Sequence, residues 1–383
     1  MKTSVNFSEL QKVLGYTNTI LSDKSVDDKM RNVIFMVSKD EVKVVGYNVF
    51  TFSRTVLENA EISEDVPENG WEFQIKSNEL NKIVGSFSSL YKTKVSKVDF
   101  EEEGVRIKVT VHEEPINEED ARLAQDSKFL LENAPILKNI HNEIHMDFPE
   151  AADLIDGGDL LMYLDSLFNL MVNDTGNGMT SKLNFADDYV FVITASMSAF
   201  MKNELPDAFK DLALTYSSTN FLKKLCEGVE NLGVARLDKY ICIQSESTEA
   251  FMKFQKIKVN YKMFVNKRDK SLGIALDRLY LKDVLKRMGN VSAEGTLSIT
   301  SEDELQVDNS NFHQVIPLSN AKEGTEGISF KISVPILEKI IVGRDDVFKS
   351  DIRIYFVKTG RGYVLYLSDS TGVWFSTTQV TGA

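Results

Sequence analysis

Histidine is scarce in this sequence, and its scarcity excludes several kinds of catalytic site. Only four histidines occur among 383 residues, at His112, His141, His145 and His313. No serine or cysteine forms a recognisable nucleophilic arrangement with them, and neither glycine-rich segment matches a phosphate-binding or dinucleotide-binding motif. We therefore predict that the protein is not an enzyme and that it uses no cofactor.

One pair of histidines has a spacing that could hold a metal. His141 and His145 are four residues apart, so a helix would place both imidazoles on one face. The alternation of Ile144–Phe148, however, predicts a strand at this place. We therefore predict no metal site.

Cysteine and long apolar runs are also scarce. Cys226 and Cys242 lie in apolar segments and cannot form a disulfide framework, which favours reduced core thiols in a cytoplasmic protein. No apolar run reaches the roughly 18 residues needed to cross a membrane. Met1–Asn6 lacks the apolar core of a signal peptide. We predict a cytoplasmic protein without membrane contact.

Positive charge is in deficit, since 44 lysines and arginines face 57 acidic residues and the net charge is −13. Binding to nucleic acid requires lysine and arginine for the phosphates. The distribution of the charges therefore decides whether DNA can be a partner.

A faint internal repeat organises the chain. Each copy has an alternating apolar run, an amphipathic helix with the pattern apolar-x-Lys-apolar-apolar, and two or three further alternating runs. The clearest copy has a strand at Trp71–Lys76, a helix with Ser77 or Asn78 as its N-cap, and strands at Lys94–Phe100 and Val105–Val111. The predicted helices are Ser8–Leu14, Ser77–Val84, Pro149–Ile155, Ser218–Cys226, Leu279–Met288 and Pro335–Val342.

These six βαβββ copies form three pairs and predict an α+β fold of three similar domains. The boundaries near residues 135 and 257 give domains 1–135, 136–257 and 258–383, with Glu113–Asn142 as a long connection. In the third copy, Asp156–Asp159 ends the predicted helix and residues 160–172 form an insertion. Any α+β protein can show strand–helix runs, but six copies in regular order favour a true repeat.

Such copies leave sheet edges that need partners. Joining domains edge to edge, and chains head to tail, pairs these edges and yields a closed ring or an open filament. A ring with helices inside and sheets outside could enclose a rod.

The sequence resembles the bacterial-type beta sliding clamps of DNA polymerase III, and we expect a bacteriophage-encoded version. The resemblance covers the whole length and is carried by Met1-Lys2, Phe7–Leu14, Asn32–Phe35 and the tip Ser38–Glu41 leading to Val42–Gly46. It implies a homodimeric ring of the DNA clamp fold that encircles double-stranded DNA without sequence preference. It also implies that a DNA polymerase and a clamp loader bind through a short peptide.

The charges of the predicted helices agree with this interpretation. Segments 8–21, 77–89, 219–228, 278–289 and 335–344 carry ten basic and five acidic residues, a net +5 that leaves −18 in the rest of the chain. A basic lining in an acidic shell suits loose contact with phosphates. The predicted DNA-facing residues are Lys12, Lys82, Lys223, Lys224, Lys282, Lys286, Arg287, Lys339 and Arg344.

Two observations weaken the charge argument. A lysine on an exposed helix face is also explained by ordinary solvation. In two copies the aligned lysine is replaced by Asp153 and Asp283, and segment 149–170 contains five acidic residues and no lysine or arginine.

The resemblance also locates a peptide pocket. By strand order, the matching place is the loop Thr194–Met201 that follows the strand at Tyr189–Ile193. The predicted pocket residues are Thr194, Met197, Phe200, Met201 and Val380. Methionine and phenylalanine suit an adaptable apolar groove, although core packing is the stronger alternative for Phe200. Ser196–Ser198 and the tail Thr377–Ala383 depart from the family pattern, which leaves the peptide specificity open.

Two other functions fit parts of the sequence. The chain could be a repeat-built phage structural or assembly protein without a DNA role, or an enzyme whose site no motif reveals. The basic excess on the helices favours a clamp over the first, and the lack of histidine favours it over the second.

Overall fold

The protein is described by a computed structural model covering residues 1–21, 31–150, 153–174, 179–266, 271–341, 351–360, 362–369 and 374–382. The chain divides into two compact units, Met1–Gly157 with Ser217–Phe254, and Gly158–Tyr216 with Gln255–Ala383. Within the described ranges, no helix is both long and apolar enough to span a membrane.

The first two copies of the repeat lie in the first unit. Copy one consists of β1 (Lys2–Asn6), α1 (Phe7–Leu21), β2 (Asn32–Val37), β3 (Val42–Tyr47) and β4 (Thr51–Leu57), followed by the short β5 (Glu61–Ile62). Copy two consists of β6 (Trp71–Lys76), α2 (Ser77–Ser86), β7 (Thr93–Glu103), β8 (Arg106–Pro115) and β9 (Ser127–Glu132).

Two details of copy two differ from the predictions. Lys76 occupies the N-cap position of α2 without a side-chain hydrogen bond, so the predicted caps Ser77 and Asn78 are wrong. The predicted connection Glu113–Asn142 also contains β9, whose residues alternate between exposed and more buried positions.

The third and fourth copies follow a short helix that the repeat does not contain. This helix is α3 (Lys138–Ile144). Copy three consists of β10 (Asp153–Asp156), α4 (Gly157–Phe168), a small β11–β12 hairpin (Asn173–Asp174 and Met179–Thr180), β13 (Leu183–Phe185), β14 (Tyr189–Ile193) and β15 (Met197–Lys202). Copy four consists of β16 (Leu212–Leu214), α5 (Tyr216–Cys226), β17 (Asn231–Leu237), β18 (Tyr240–Gln244) and β19 (Thr248–Lys253).

The predicted strand Ile144–Phe148 and helix Pro149–Ile155 are therefore wrong. Ile144 ends a helix, and the true strand and helix of copy three begin at Asp153 and Gly157. Residues 160–168 are the body of this helix rather than an insertion. Because α3 is a helix, the reason for predicting no metal at His141 and His145 no longer holds.

The last two copies lie in the second unit, after the short α6 (Lys262–Asn266). Copy five consists of β20 (Gly273–Asp277), α7 (Arg278–Gly289), β21 (Glu294–Ser301), β22 (Glu304–Asn309) and β23 (Phe312–Pro317), followed by the short β24 (Asn320–Ala321). Copy six consists of β25 (Ser329–Ser333), α8 (Val334–Ile341), β26 (Asp351–Thr359), β27 (Gly362–Asp369) and β28 (Trp374–Gly382).

The copies are paired by an exchange of first strands. In every pair, the strand that opens one copy joins the sheet of the other copy in antiparallel register. The exchanged pairings are β1 with β7 and β6 with β2, β10 with β17 and β16 with β13, and β20 with β26 and β25 with β21. The same exchange in three places shows that the six copies form three similar pairs.

Strand pairing also runs between successive pairs, and several strands remain at the edges of the described sheets. β4 pairs with β19 in the first unit, and β15 pairs with β28 in the second. β9 ends the β5-β1-β7-β8-β9 sheet, and β23 ends the longer sheet of the second unit. Within the described ranges, the outer sides of β9 and β23 have no strand partner.

All six repeat helices bury the same stripe. Each has a leucine that is at most 1% exposed, followed three and four residues later by two more buried apolar side chains. The six stretches are Leu10–Leu14, Leu80–Val84, Leu160–Leu164, Leu222–Cys226, Leu281–Leu285 and Leu337–Ile341. This spacing places the three side chains on one face of a helix. The aligned position of copy three is therefore Met162, and the earlier alignment of Asp153 is wrong.

A buried carboxylate holds β1 against its sheet. Asp99 on β7 accepts hydrogen bonds from Ser4 (2.6 Å) and Lys2 (2.7 Å), and it pairs with His112 of β8 (2.9 Å). Burial raises the pKa of Asp99, but these three partners outweigh it and hold the pKa below its ordinary value.

The two cysteines are core residues, as predicted. Cys226 is the last residue of the buried stripe of α5, and Cys242 lies on β18. Neither forms a disulfide. Burial raises the pKa of the Cys242 thiol to about 12, so this thiol is unreactive at neutral pH.

Candidate DNA-facing helices and peptide surface

Most of the predicted DNA-facing residues lie on the solvent side of the repeat helices. Lys12, Lys82, Lys224, Lys286, Arg287 and Lys339 are exposed, whereas Lys223 and Lys282 are half-buried. Arg344 lies outside the described residues. The buried leucine stripe determines this placement, because side chains between the stripe positions must point away from the core.

Helix α7 carries the densest positive charge. Lys282 and Lys286 are four residues apart and therefore share a face, and Arg287 follows directly. Arg278 has a different role, because it is 3% exposed and donates a hydrogen bond to the carbonyl of Ile341 at the end of α8 (3.2 Å). Arg278 thus satisfies one of the open carbonyls of the neighbouring helix.

Several of these lysines have charge available for a ligand. Lys224 is partly neutralised by Glu227, at 2.8 Å in the next turn. Within the described part of the chain, no acidic side chain lies within salt-bridge distance of Lys12, Lys82, Lys286 or Lys339. With the helix bounds of the structure, the six repeat helices carry nine basic and six acidic residues, a net +3 in a chain of −13.

Helix α4 is the exception among the six. Its charged residues are Asp159 and Asp165, and the half-buried Met162 stands where four of the other helices have lysine. The helix is held to the second unit by Tyr163, whose hydroxyl donates to the carbonyl of Lys202 (2.9 Å) and accepts from the amide of Glu204 (3.1 Å). The positive charge of the helices is therefore unevenly distributed along the chain.

The predicted peptide loop is mostly a strand, so its description as a loop is wrong. Only Thr194–Ser196 form a turn, which is closed by hydrogen bonds between Thr194 and Met197. Met197 follows on β15 opposite Thr378 of β28, and it is 8% exposed. Phe200 and Met201 are completely buried, and the ring of Phe200 stacks on Phe375 at 4.5 Å.

The predicted pocket residues are therefore divided between surface and core. Phe200 and Met201 contribute to the packing of the sheet. Thr194 is half-buried at the turn, and Val380 is half-buried on β28, two residues beyond the partner of Met197. The assignment of Thr194, Met197 and Val380 to a peptide site stays a prediction.

An apolar segment that the sequence analysis missed packs beside this hairpin. Tyr261 contacts Phe191 with ring centroids 4.9 Å apart, and Phe264 contacts Phe200 at 6.2 Å. Both side chains remain half-buried, and Met263 between them is 47% exposed. The i, i+3 spacing of Tyr261 and Phe264 was the available sequence signal. These side chains add accessible apolar surface next to Phe200.

Two of the edge strands, β9 and β23, have matching burial patterns. β9 and β23 each alternate between exposed and more buried residues in the same order over six positions. Each also exposes an apolar side chain near its centre, Leu130 on β9 (46%) and Val315 on β23 (39%). Exposed apolar residues on an open edge are typical of a strand that pairs with another chain.

Solved bacterial proteins share this architecture over the full length. The DNA polymerase III beta subunit of Thermotoga maritima is 13% identical, with a TM-score of 0.72 over 99% of this chain and 98% of that chain. The DNA polymerase sliding clamp of Bacillus subtilis is 11% identical, with a TM-score of 0.74 over 100% and 99%. This chain has the sliding clamp fold. The DNA polymerase sliding clamp of Caulobacter crescentus is 13% identical, with a TM-score of 0.73 over 99% of each chain.

Sequence comparison alone finds no relative: no protein-family model and no curated protein matches the chain. The clamp fold, with α+β character and three similar domains, agrees with the prediction from the repeat. At this level of identity the likeness concerns the fold alone.

Proposed function

We propose that the protein is a DNA sliding clamp, a non-enzymatic processivity factor that encircles double-stranded DNA and tethers a replicative polymerase. The observation that carries the proposal is the combination of a full-length clamp fold with exposed lysines on the solvent faces of five repeat helices. Contact with phosphates through such side chains does not depend on base sequence. The domains are proposed as 1–135, 136–257 and 258–383.

The ring is proposed to be a homodimer. β9 of one chain would pair with β23 of the next, head to tail, and two such contacts would close the ring. Leu130 and Val315 support this pairing, because both would become buried in the contact.

A polymerase and a clamp loader are proposed to bind by a short peptide. The surface proposed for this peptide consists of Thr194, Met197, Val380 and the neighbouring α6 side chains Met263 and Phe264. A half-buried apolar surface with methionine suits peptides of varied shape. A bacteriophage origin and activity in the cytoplasm of a bacterial host belong to the same proposal.

A cross-linking experiment tests the topology without a clamp loader. Leu130→Cys and Val315→Cys are combined in one chain and joined by a bismaleimide, while the buried native cysteines remain unmodified. Rings closed in the presence of a nicked circular plasmid should stay on it in high salt and leave after a restriction enzyme linearises it. Retention on the linear product, or loss of protein from the closed circle, would contradict a ring around DNA. The single-cysteine variants are the controls.

A charge experiment tests the proposed DNA face. Lys282, Lys286 and Arg287 on α7 are changed to alanine, and the matched control removes Lys331, Arg353 and Lys358 from strands β25 and β26. Each lost phosphate contact changes the slope of log affinity against log salt by about 0.9. Three lost contacts should therefore reduce the magnitude of this slope in the α7 variant by about 2.7 per chain. Fluorescence anisotropy with a duplex fragment measures the slope, and equal slopes in the two variants would contradict the assignment.

A further inference from the structure

We propose that Glu72, His141 and His145 form a binding site for a first-row divalent metal ion, with zinc as the ion that suits it best. Glu72 lies on β6, His141 lies on α3, and His145 is the residue that caps this helix. One ligand atom from each residue can be chosen so that all three lie within 4.8 Å of one another. This site is independent of the proposed clamp function.

The distances suit an ion at the centre of the cluster. Nε2 of His141 is 3.4 Å from Oε2 of Glu72, and Nε2 of His145 is 2.6 Å from Oε1. Zinc bonds of about 2.0–2.1 Å in a tetrahedron place neighbouring ligand atoms about 3.3 Å apart. The His141 distance to Oε2 is close to this value, whereas His145 contacts the other oxygen, Oε1, so the side chains need to rotate before one carboxylate oxygen lies at this distance from both nitrogens.

The two histidines are presented by a helix that the first unit holds firmly. Ile140 and Ile144 are buried in its core, and Arg54 donates a hydrogen bond to the carbonyl of Ile144 at 3.1 Å. On the same helix, Glu143 accepts from Tyr47 (3.0 Å) and from Lys253 (2.9 Å). The i, i+4 spacing then brings the two imidazoles to one face, with ring centroids 4.4 Å apart.

The carboxylate comes from an equally well-defined element. β6 pairs with β2 along its whole length, and Glu72 stands opposite Met36. Gln74 on the same strand donates to the carbonyl of Pro135, just before α3 (2.9 Å). β6 and the segment that leads into α3 are thus already in contact. Rotation of the three ligand side chains is therefore enough to bind an ion.

The ligand set indicates both the metal and its effect. Two imidazole nitrogens and one carboxylate oxygen suit zinc, and such a set leaves a fourth position for water. The side chains of Glu72, His141 and His145 are 24%, 51% and 41% exposed, so an ion can reach them from solvent. A bound ion would link β6 to α3 across the proposed boundary at residue 135 and stabilise that connection.

Calorimetric titration of the full-length chain with zinc chloride tests the proposal. The expected result is one saturable site per chain, weakened more than about 100-fold in His141→Ala, His145→Ala and Glu72→Gln, because even outer-shell changes at zinc sites cost roughly 10–100-fold. His313→Ala is the matched control, since His313 pairs with Asp308 and belongs to no group of three ligands among the described residues. Circular dichroism confirms that each variant is folded.

A second readout separates coordination from surface adsorption. Zinc should raise the melting temperature of the wild type and of His313→Ala, and this increase should vanish in the three ligand variants. Absence of a saturable site in the wild type, or binding that persists in the three ligand variants, would overturn the proposal.

Discussion

Replacement of Leu130 by aspartate is expected to dissociate the proposed ring. In the single chain this leucine is 46% exposed at the centre of the open edge strand β9. Head-to-tail pairing with β23 would bury the exposed part of its side chain. An aspartate at the same position would bring a carboxylate into the strand contact.

The size of the effect follows from the exposed fraction. Complete burial of a leucine side chain contributes about 1.5–3 kcal/mol, so burial of the remaining half contributes about 1 kcal/mol. A buried polar group without a partner costs about a further 1–3 kcal/mol. A closed dimer contains the contact twice, so the ring loses about 4–8 kcal/mol. Since 1.4 kcal/mol corresponds to a tenfold change, its Kd should rise by about a thousandfold or more.

Leu123→Asp is the matched control. Leu123 is 47% exposed and lies in a short 3-10 helix outside β9, so the same substitution there should leave assembly unchanged. Sedimentation equilibrium over a range of protein concentrations gives the number of chains per particle. Equal assembly of the two variants, or a wild-type protein that remains a single chain at every concentration, would contradict the proposed strand pairing.

Four further substitutions test the fold. Leu160→Ala should destabilise the second unit by about 2–5 kcal/mol, whereas Met162→Lys should change stability by no more than about 0.5 kcal/mol; equal losses in calorimetry would contradict the helix register. Asp99 has a lowered pKa, so it contributes stability above the ordinary carboxylate pKa of about 3.9 and loses it as the pH falls further; Asp99→Asn should remove this part of the dependence in urea unfolding. Arg278→Met should cost about 1–3 kcal/mol in thermal unfolding, because the carbonyl of Ile341 loses its partner; an unchanged melting temperature would refute that role.

Sequence periodicity located five of the six repeat helices and most strands. A leucine followed three and four residues later by apolar side chains needs only the geometry of the helix to produce a buried stripe. The strand Trp71–Lys76 was predicted with its correct bounds for a similar reason, since its alternation is regular. The buried stripe also determines which residues of each helix face solvent.

The region around Ile144 shows why local patterns can fail. Ile144 and Phe148 fit a strand with period two, but Ile140 and Ile144 also fit a helix with period 3.6. The helix is stabilised because Ile140 and Ile144 pack against Tyr47 and the neighbouring sheet. The polar residues Asp156–Asp159 favoured the end of a helix, so Leu160–Leu164, where the repeat pattern continues, was predicted to belong to an insertion.

The prediction of a loop at Thr194–Met201 was wrong for a different reason. Thr194–Met201 contains small and polar residues that are compatible with a loop. Met197–Lys202 becomes a strand because β28, more than 170 residues later, supplies its hydrogen-bond partners. The presence of that partner also explains why Phe200 is core rather than pocket.

Local sequence patterns were enough to predict the number of copies, most of their helices, and the side of each helix that faces solvent, because these depend on residues a few positions apart. Three features became evident only in the folded chain: the exchange of strands between copies, the strands that lie at sheet edges, and the contact of Glu72 with two histidines. These features depend on hydrogen bonds and contacts between residues far apart in the chain, for which local periodicity carries no signal.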